Sequence, residues 1–278
     1  MEQKTTPYLL TLPSAIVFLT IFVAPFCYFF VVSFWSVDFY QLTPGFSPQN
    51  YIVAVRDYAG TGVFTVVLAT SAALITMALG FVYSFIARFK AGRWGQLLLL
   101  IVLVTLFGGY LMKIYAWKTI LGNEGLLNTF LIGVGLIDRP ISALLYSPGA
   151  VVVTLVHFSL PFAVLPIFAS MRGIKDIEIE AAHDLGASSL DVLSTVIIPR
   201  CRNGLVTAFS FAFLITAGDY VTPALVGGKQ TIIGSLIAPQ FGNLFNWPLG
   251  SAMSFAMLGI AIIVIVVFSR LLNWWCRI

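Results

Sequence analysis

Charged residues are scarce in this sequence, where they make up 9% of the 278 residues, against about a quarter in ordinary soluble domains. Hydrophobic residues account for 59%. Uncharged apolar runs of about 20 residues, the length of a membrane-spanning helix, recur along the chain, whereas the strands of a membrane barrel alternate apolar and polar residues. The composition therefore excludes an ordinary soluble domain and predicts an all-α integral membrane protein in contact with the lipid bilayer.

Cysteine and histidine are also rare, with three and two residues. Cys27 falls in a predicted span, Cys201 in a predicted cytoplasmic loop and Cys276 in the tail, so a disulfide framework is not expected. None of the three lies near a histidine at the spacing of metal ligands. Because the predicted spans also lack paired acids, no catalytic or metal site is expected, which argues against a membrane-embedded enzyme.

Two devices that could energise transport are missing from the sequence. It has no Gly-x-x-x-x-Gly-Lys-Ser/Thr loop for the phosphates of a nucleotide, so the chain is not expected to hydrolyse ATP. It also lacks the series of intramembrane acids and histidines typical of proton-driven pumps, since His157 is the only ionisable residue near the middle of a predicted span. A transporter of this composition must draw energy from another chain. A channel or secondary carrier, which works alone, is the alternative.

Six spans are predicted from the uncharged runs and from the charged, glycine and proline residues that separate them. They cover residues 8–35, 62–87, 96–112, 149–171, 204–220 and 249–269. Proline and glycine predict an external loop over residues 38–61. The external segment 113–148 is expected to hold a short helix or two within its Gly-rich stretch 122–135, and residues 172–203 form a cytoplasmic loop. The chain is expected to be a single membrane domain.

The positive charges predict the orientation of the spans. All but five of the 15 Lys and Arg residues fall on the predicted cytoplasmic side, which places both termini inside. The five exceptions are Arg56, Lys113, Lys118, Arg139 and Lys229. Membrane orientation thus explains the net charge of +4, and nucleic-acid binding is not expected.

The longest charged segment, DIEIEAAHDLGASSLDVLSTVIIP, lies in the predicted cytoplasmic loop and is predicted to form a helix, a stop and a second helix. Asp176 is expected to cap the first helix, and Gly186 to end it in the left-handed conformation. Ser188 and Asp191 resemble a capping box for the second helix, which Pro199 is expected to interrupt.

The first of these helices offers a docking face, because Ala181, Ala182 and Leu185 leave a nearly bare surface beside Glu180. The stretch EAAHDLGAS followed by IIP resembles the EAA motif of ABC-importer permease subunits, which marks their cytoplasmic coupling loop. An ordinary amphipathic surface hairpin would be the alternative for a lone Glu-Ala-Ala. The positions that match the motif are Glu180, Ala181, Ala182, Gly186 and Pro199. Together with Asp184 and Leu185 from the same segment they form the predicted ATPase-coupling set.

The resemblance to the spermidine/putrescine branch of this family extends over nearly the whole chain, through IYAWKTILGNEGLLN, LPF, GDYVTPALVGG and NWPLGSA. It implies the type I importer fold of six spans with a coupling helix, in the inner membrane of a bacterial cell. It implies three kinds of partner: a second permease subunit in a heterodimer, an ATPase dimer that binds ATP and Mg, and an extracytoplasmic solute-binding protein. No cofactor is implied for this chain itself.

The cargo that this branch implies is a polyamine. The outward half of the sequence is not rich in acids, however, since it carries five acidic and five basic residues. An opine-like, phosphonate or amino-acid-derived solute is therefore the alternative. Glu180 is interpreted as the polar anchor in a cleft of the ATPase, with stabilisation of the helix dipole as its alternative role.

A solute pathway is predicted near the end of the fifth span. The uncharged run 204–218 is too short to cross comfortably, and a stretch broken by Gly and Pro follows, a pattern that points to binding sites in transporters. The candidate pathway residues are Tyr110, Tyr115, Trp117, His157, Asp219 and Tyr220.

Each pathway candidate has an alternative role. Asp219 either attracts a cation from outside, or caps the end of the span or pairs with Lys229. His157 either faces the pathway or packs against a neighbouring helix. Three aromatic residues straddle the membrane interface at the end of span three, Tyr110, Tyr115 and Trp117, and they either cage a cation or anchor the chain at that interface.

Overall fold

The computed structural model describes residues 6–229 and 231–276, which form thirteen α-helices and one β-hairpin. Five helical stretches are long and apolar enough to cross a membrane, and a sixth span results if one bent pair of helices is counted. The predicted all-α membrane fold is thus confirmed. The chain forms two compact units, the first from the described part of Met1–Gly60 with Leu236–Gly259, and the second from Thr61–Ser235 with the described part of Ile260–Ile278.

The amino-terminal helical stretch belongs to the first unit. Its elements are α1 (Thr6–Phe18), a π-helical turn (Leu19–Val23) and α2 (Ala24–Val32). The β-hairpin that follows consists of β1 (Ser36–Asp38) and β2 (Gln41–Thr43), paired antiparallel. Within this unit the ring of Phe26 packs edge-on against Phe255, with 5.0 Å between their centroids, an aromatic contact that helps to hold the first span.

The second long helix, α3 (Gln49–Phe85), begins earlier than the sequence predicts. Residues 49–61, expected to be part of an external loop, are helical, because the proline and glycine signals end at Pro48 and no further Gly or Pro occurs until Gly60. With the π-helical turn Ile86–Lys90, the helical stretch reaches 42 residues. At 1.5 Å per residue that is about 60 Å, twice the thickness of the hydrocarbon core, so the helix extends beyond the bilayer.

The predicted third span, residues 96–112, is not one straight helix. A short 3₁₀ turn (Gly92–Trp94) leads into α4 (Gly95–Phe107), and α5 (Tyr110–Leu121) leaves it at an angle of 98°. The bend falls at Gly108 and Gly109, whose backbones are extended and which have low helix propensity. The short helix predicted within residues 122–135 is present as α6 (Leu126–Gly133).

Helices α7 (Pro148–Arg172) and α10 (Ile198–Gly218) carry the core of the second unit. Gly204 permits their close approach, since a Cβ there would lie 2.5 Å from Ser170 Oγ and 2.6 Å from the Pro166 carbonyl oxygen. Phe209 and Phe213, fully buried on α10, fill the space beside this contact. This packing holds the end of α10, where the candidate pathway residues cluster.

The remaining helices are two that precede α10 in the chain and three that follow it. They are α8 (Asp176–Asp184), α9 (Ser189–Val192), α11 (Val221–Val226), α12 (Ile233–Phe241) and α13 (Trp247–Trp275). Within the second unit the rings of Phe209 and Phe268 stack with 3.9 Å between centroids, which ties the end of α13 to α10.

Pro199 does not interrupt the second cytoplasmic helix, contrary to the sequence prediction. The chain is helical from Ser189 to Gly218 without a break. A π-helical turn, Leu193–Ile197, shifts the hydrogen-bond pattern ahead of Pro199. The proline therefore lies inside one continuous helical stretch, two residues after the π-helical turn.

Candidate functional site

The EAA segment folds as two short helices, α8 and α9, joined by a tight stop. Gly186 has a φ of +88°, as predicted for a residue that ends a helix. The Ala187 N–H donates to the Ala182 carbonyl at 3.0 Å and closes α8. The predicted capping box is present: the Asp191 N–H donates to Ser188 Oγ at 3.3 Å, and the Ser188 N–H donates to the Asp191 carboxylate at 3.0 Å.

Asp176 does not cap α8 as the sequence predicts. The cap position is held by Lys175, whose side chain makes no capping hydrogen bond, and Asp176 lies inside the first turn. Its carboxylate instead accepts a hydrogen bond from Arg88 at 2.8 Å. The guanidinium also donates to the Ile174 carbonyl at 3.1 Å, so a residue from the end of α3 competes successfully with the local cap.

The outer face of the segment is exposed and partly apolar. Helix α8 has no buried residue, and Glu180 and Ala181 are open to solvent. Leu185 is 89% exposed, Leu190 76% and Ile177 67%. Apolar side chains that project so far next to acidic groups are typical of a surface that another protein covers.

A second ion pair joins the first turn of α8 to α10. The Arg200 guanidinium bonds to the Glu178 carboxylate, and this hydrogen bond holds the pKa of Glu178 below its ordinary value. Behind the pair, Ile174, Val192 and Ile197 are buried in one apolar cluster. The inner side of the segment is therefore held by the ion pair and the apolar cluster, while its outer face is exposed to solvent.

A second candidate site surrounds Asp219, which directly follows α10. Its Oδ1 accepts a hydrogen bond from the Tyr110 hydroxyl at 2.5 Å and others from the backbone N–H groups of Val221 at 2.9 Å and Thr222 at 3.3 Å. Its Oδ2 is buried and has no hydrogen-bond partner among the described residues. With one oxygen Asp219 therefore binds the first two backbone N–H groups of the helix that follows, α11 (Val221–Val226), whereas the sequence predicted a cap on the end of the fifth span; its other oxygen is uncommitted.

A cavity of about 380 Å³ opens beside this carboxylate. Its lining residues are Tyr110, Phe158, Leu214, Ile215, Gly218, Asp219, Tyr220 and Val221. Aromatic faces beside a single carboxylate suit a positively charged ligand. Within residues 6–229 and 231–276, the alternative ion pair of Asp219 with Lys229 is not formed.

The other predicted pathway residues are placed next to the cavity or apart from it. Trp117 Nε1 donates to His157 Nδ1 at 3.1 Å, so this pair is satisfied by itself. Tyr115 is 53% exposed on α5 and does not line the cavity. The sequence therefore predicted a set of residues of which Tyr110, Asp219 and Tyr220 meet at one site.

Sequence reasoning missed Lys113, which it placed in an external segment. This side chain is only 8% exposed, its Nζ has no hydrogen-bond partner among the described residues, and it lies 5.2 Å above the ring of Phe158. Its position one turn after Tyr110 on the same helix was the available signal. A buried lysine thus lies against Phe158, one of the residues that line the cavity beside Asp219.

No family model matches the chain. The chain is 34% identical over 210 residues to the spermidine/putrescine transport system permease protein PotB of Escherichia coli (strain K12), with 74% of this chain and 76% of that protein covered.

Solved structures share the fold. A chain of a bacterial ABC transporter involved in the import of the acidic polysaccharide alginate matches with a TM-score of 0.71 at 15% identity, over 96% of this chain and 94% of that one. A bacterial alginate ABC transporter in complex with an alginate pentasaccharide-bound periplasmic protein matches with a TM-score of 0.65 at 15% identity, over 95% and 92%. With the identity to PotB, these findings show that the chain belongs to the ABC-importer permease family, as a multi-pass subunit of the inner membrane.

Proposed function

We propose that this permease subunit carries polyamines of the spermidine and putrescine kind into the cell. The observation that carries the proposal is the 34% identity to a permease named for those solutes. The cavity beside Asp219 supports it, because a carboxylate and aromatic rings together hold alkylammonium groups. An opine-like, phosphonate or amino-acid-derived solute is the competing cargo, and it is tested in the same assay.

The proposed transporter contains three further kinds of subunit. An ATPase dimer binds ATP and Mg and docks on α8 and α9, a second and different permease completes the membrane pathway, and an extracytoplasmic binding protein delivers the solute. The surplus of Lys and Arg on one side of the predicted spans supports an orientation with both termini in the cytoplasm. This orientation puts α8 on the same side as the ATPase.

The docking joint would combine one polar and one apolar contact. Glu180 is exposed on α8 and provides a carboxylate for a donor in the ATPase cleft. Leu185, 89% exposed at the end of the same helix, provides apolar area that is buried only when the ATPase is present. Closure of the nucleotide-bound ATPase would then move α8 and tilt the spans, so that the pathway opens alternately to the two sides.

The cargo would meet Asp219 during this cycle. Its Oδ2 is enclosed here, so an ammonium group reaches it only after Tyr110 and α5 have shifted away. The bend at Gly108 and Gly109 gives α5 a place to pivot. When α5 closes again, Tyr110 reclaims the carboxylate and the buried Lys113 ammonium returns beside the cavity, which favours release of a cation.

The proposal is tested by purifying the tagged chain from its own membrane, identifying its companions and reconstituting the complex in liposomes. We expect an ATPase, a second permease and a binding protein, with ATP hydrolysis and uptake both stimulated by spermidine or putrescine. Stimulation by an amino-acid-derived, opine-like or phosphonate solute alone would contradict the polyamine assignment. Solute flux through this chain by itself, without ATP, would contradict the importer and favour a channel or carrier.

A further inference from the structure

The two acids in the first turn of α8 do not face open solvent alone, because each binds an arginine from a different long helix. Asp176 accepts from Arg88 at 2.8 Å, and Glu178 accepts from Arg200. Carboxylates near a helix start are explained by the helix dipole alone. Here the two guanidinium groups add a direct connection from α8 to the end of α3 and to the start of α10.

Both arginines lie at irregular points of their helices. Arg88 is in the π-helical turn Ile86–Lys90 that ends α3. Arg200 is in the first turn of α10, directly after the π-helical turn Leu193–Ile197. Such turns are rare, and they occur frequently at functional positions. The helix ends that contact α8 are therefore the places where their helices depart from regular α geometry.

Helix α8 depends on these contacts for its position. It has nine residues and none of them is buried, and a helix of that length is marginal by itself in water. Ile179 and Ala182 pack on the apolar cluster that contains Ile174, which supports one side. Arg88, only 24% exposed and bonded also to the Ile174 carbonyl, holds the amino-terminal end at the point where the chain leaves α7.

We propose that Arg88 and Arg200 are positioning residues that transmit the movement of α8 to α3 and α10. The inference rests on the proposed function, in which an ATPase moves α8. Each ion pair converts a displacement of the first turn into a pull on one helix end, and the adjacent π-helical turn absorbs the change in hydrogen bonding. Neither arginine contacts the ATPase in this scheme, so their loss affects the efficiency of coupling rather than docking.

The test measures cargo imported per ATP hydrolysed by the reconstituted complex, with spermidine as the probe. The variants are Glu178→Arg and Arg200→Glu, alone and combined, and Asp176→Arg and Arg88→Glu in the same design. We expect each single reversal to lower the ratio by about threefold, the scale of coupling between contacting charges. Each combined reversal restores the opposite charges. We expect the ratio to return to near the wild-type value for the Glu178 and Arg200 pair, and only partly for the Asp176 and Arg88 pair, because a carboxylate at position 88 cannot donate to the Ile174 carbonyl.

Arg202→Glu is the matched control, since Arg202 is an exposed arginine two residues further along α10 and makes no ion pair within the described ranges. We expect it to leave the ratio unchanged. Single reversals that assemble normally and keep the wild-type ratio would overturn this inference and leave the proposed function intact. Combined reversals that do not raise the ratio above that of the single reversals would have the same consequence. A wild-type complex that contains no ATPase would overturn the proposed function and the inference with it.

Discussion

The coupling segment and the Asp219 site are built in opposite ways. In the segment α8–α9, the capping groups lie within a few residues of one another: Ser188 and Asp191 are three apart, and Ala187 bonds back to Ala182. At the other site, Tyr110 and Asp219 meet across 109 residues of chain. The coupling segment presents side chains to solvent, whereas the Asp219 site encloses them. The proposed docking surface is therefore shaped by contacts between residues close in sequence, whereas the proposed cargo site depends on packing between distant parts of the chain.

The largest effect on uptake is expected at the Asp219 site. Asp219→Asn keeps the shape of the side chain but removes the charge, so an ammonium group loses a charge-assisted partner, worth about 1.5–3 kcal/mol. We expect uptake at low polyamine concentration to fall by roughly tenfold or more, while the complex still contains its ATPase.

Asp138→Asn is the control for this change, because Asp138 is an exposed acid on the segment before α7. It should leave uptake within twofold of wild type, a difference below about 0.5 kcal/mol. Equal losses in the two variants would show that Asp219 acts only through the net charge.

The packing of α7 against α10, which supports the Asp219 site, can be disrupted by a substitution far from Asp219. In Gly204→Ala the new methyl group would meet Ser170 Oγ and the Pro166 carbonyl oxygen at 2.5 and 2.6 Å. Separation of α7 and α10 should cost about 1–3 kcal/mol of stability, measured as a lower unfolding temperature in detergent. Gly259→Ala, where a Cβ meets nothing within 4 Å, should not lower it.

In the coupling segment, a single substitution at Gly186 should change the local structure without affecting the membrane spans. Gly186 has a φ of +88°, which a residue with a Cβ adopts at a cost of about 1 kcal/mol. Gly186→Ala should therefore loosen the end of α8 and weaken ATPase retention, while the unfolding temperature of the spans stays unchanged. Hydrogen exchange of the Ala187 amide reports the loosening directly, and unchanged exchange there would contradict the stated role of Gly186.

The smallest effect is a pH dependence at the Arg200–Glu178 pair. The hydrogen bond from Arg200 lowers the pKa of Glu178 below its ordinary value of 4.5. The stabilisation by this pair is therefore complete above about pH 4.5 and is lost as the pH falls through the lowered pKa.

This dependence can be measured as the difference in unfolding temperature between wild type and Glu178→Gln. It should be constant from about pH 7 to pH 5 and shrink below that range. The exposed acid Glu124 provides the control in Glu124→Gln, which should show no such trend. A Glu178→Gln difference that did not change with pH would mean that the ion pair contributes nothing.

The sequence predicted the features that short-range chemistry decides. The turn at Gly186 and the capping box of Ser188 and Asp191 depend on neighbours in the chain, and both are confirmed. The cap at Asp176 was wrong because Arg88, a residue 88 positions away, binds that carboxylate. The predicted helix break at Pro199 was wrong, because the π-helical turn before it shifts the backbone hydrogen-bond pattern and the helix continues past the proline.

The candidate pathway was predicted as a set of residue types but not as an arrangement. Asp219, Tyr110 and Tyr220 were named from an interrupted span and from aromatic residues, yet nothing in the sequence pairs Tyr110 with Asp219. Lys113 was missed because its charge placed it in a loop, while the bend at Gly108 turns α5 and buries it. Contacts between distant helices depend on packing, which hydropathy and motif spacing do not encode.

In the assembled transporter, we expect an ATPase to cover the outer face of α8 and α9. A photoreactive amino acid at position 185, where the native leucine is 89% exposed, tests it in the intact complex, with the same probe at exposed position 138 as control. We expect a crosslink to the ATPase from position 185 and none from position 138. A complex that imports solute with ATP but gives no ATPase crosslink at position 185 would contradict it.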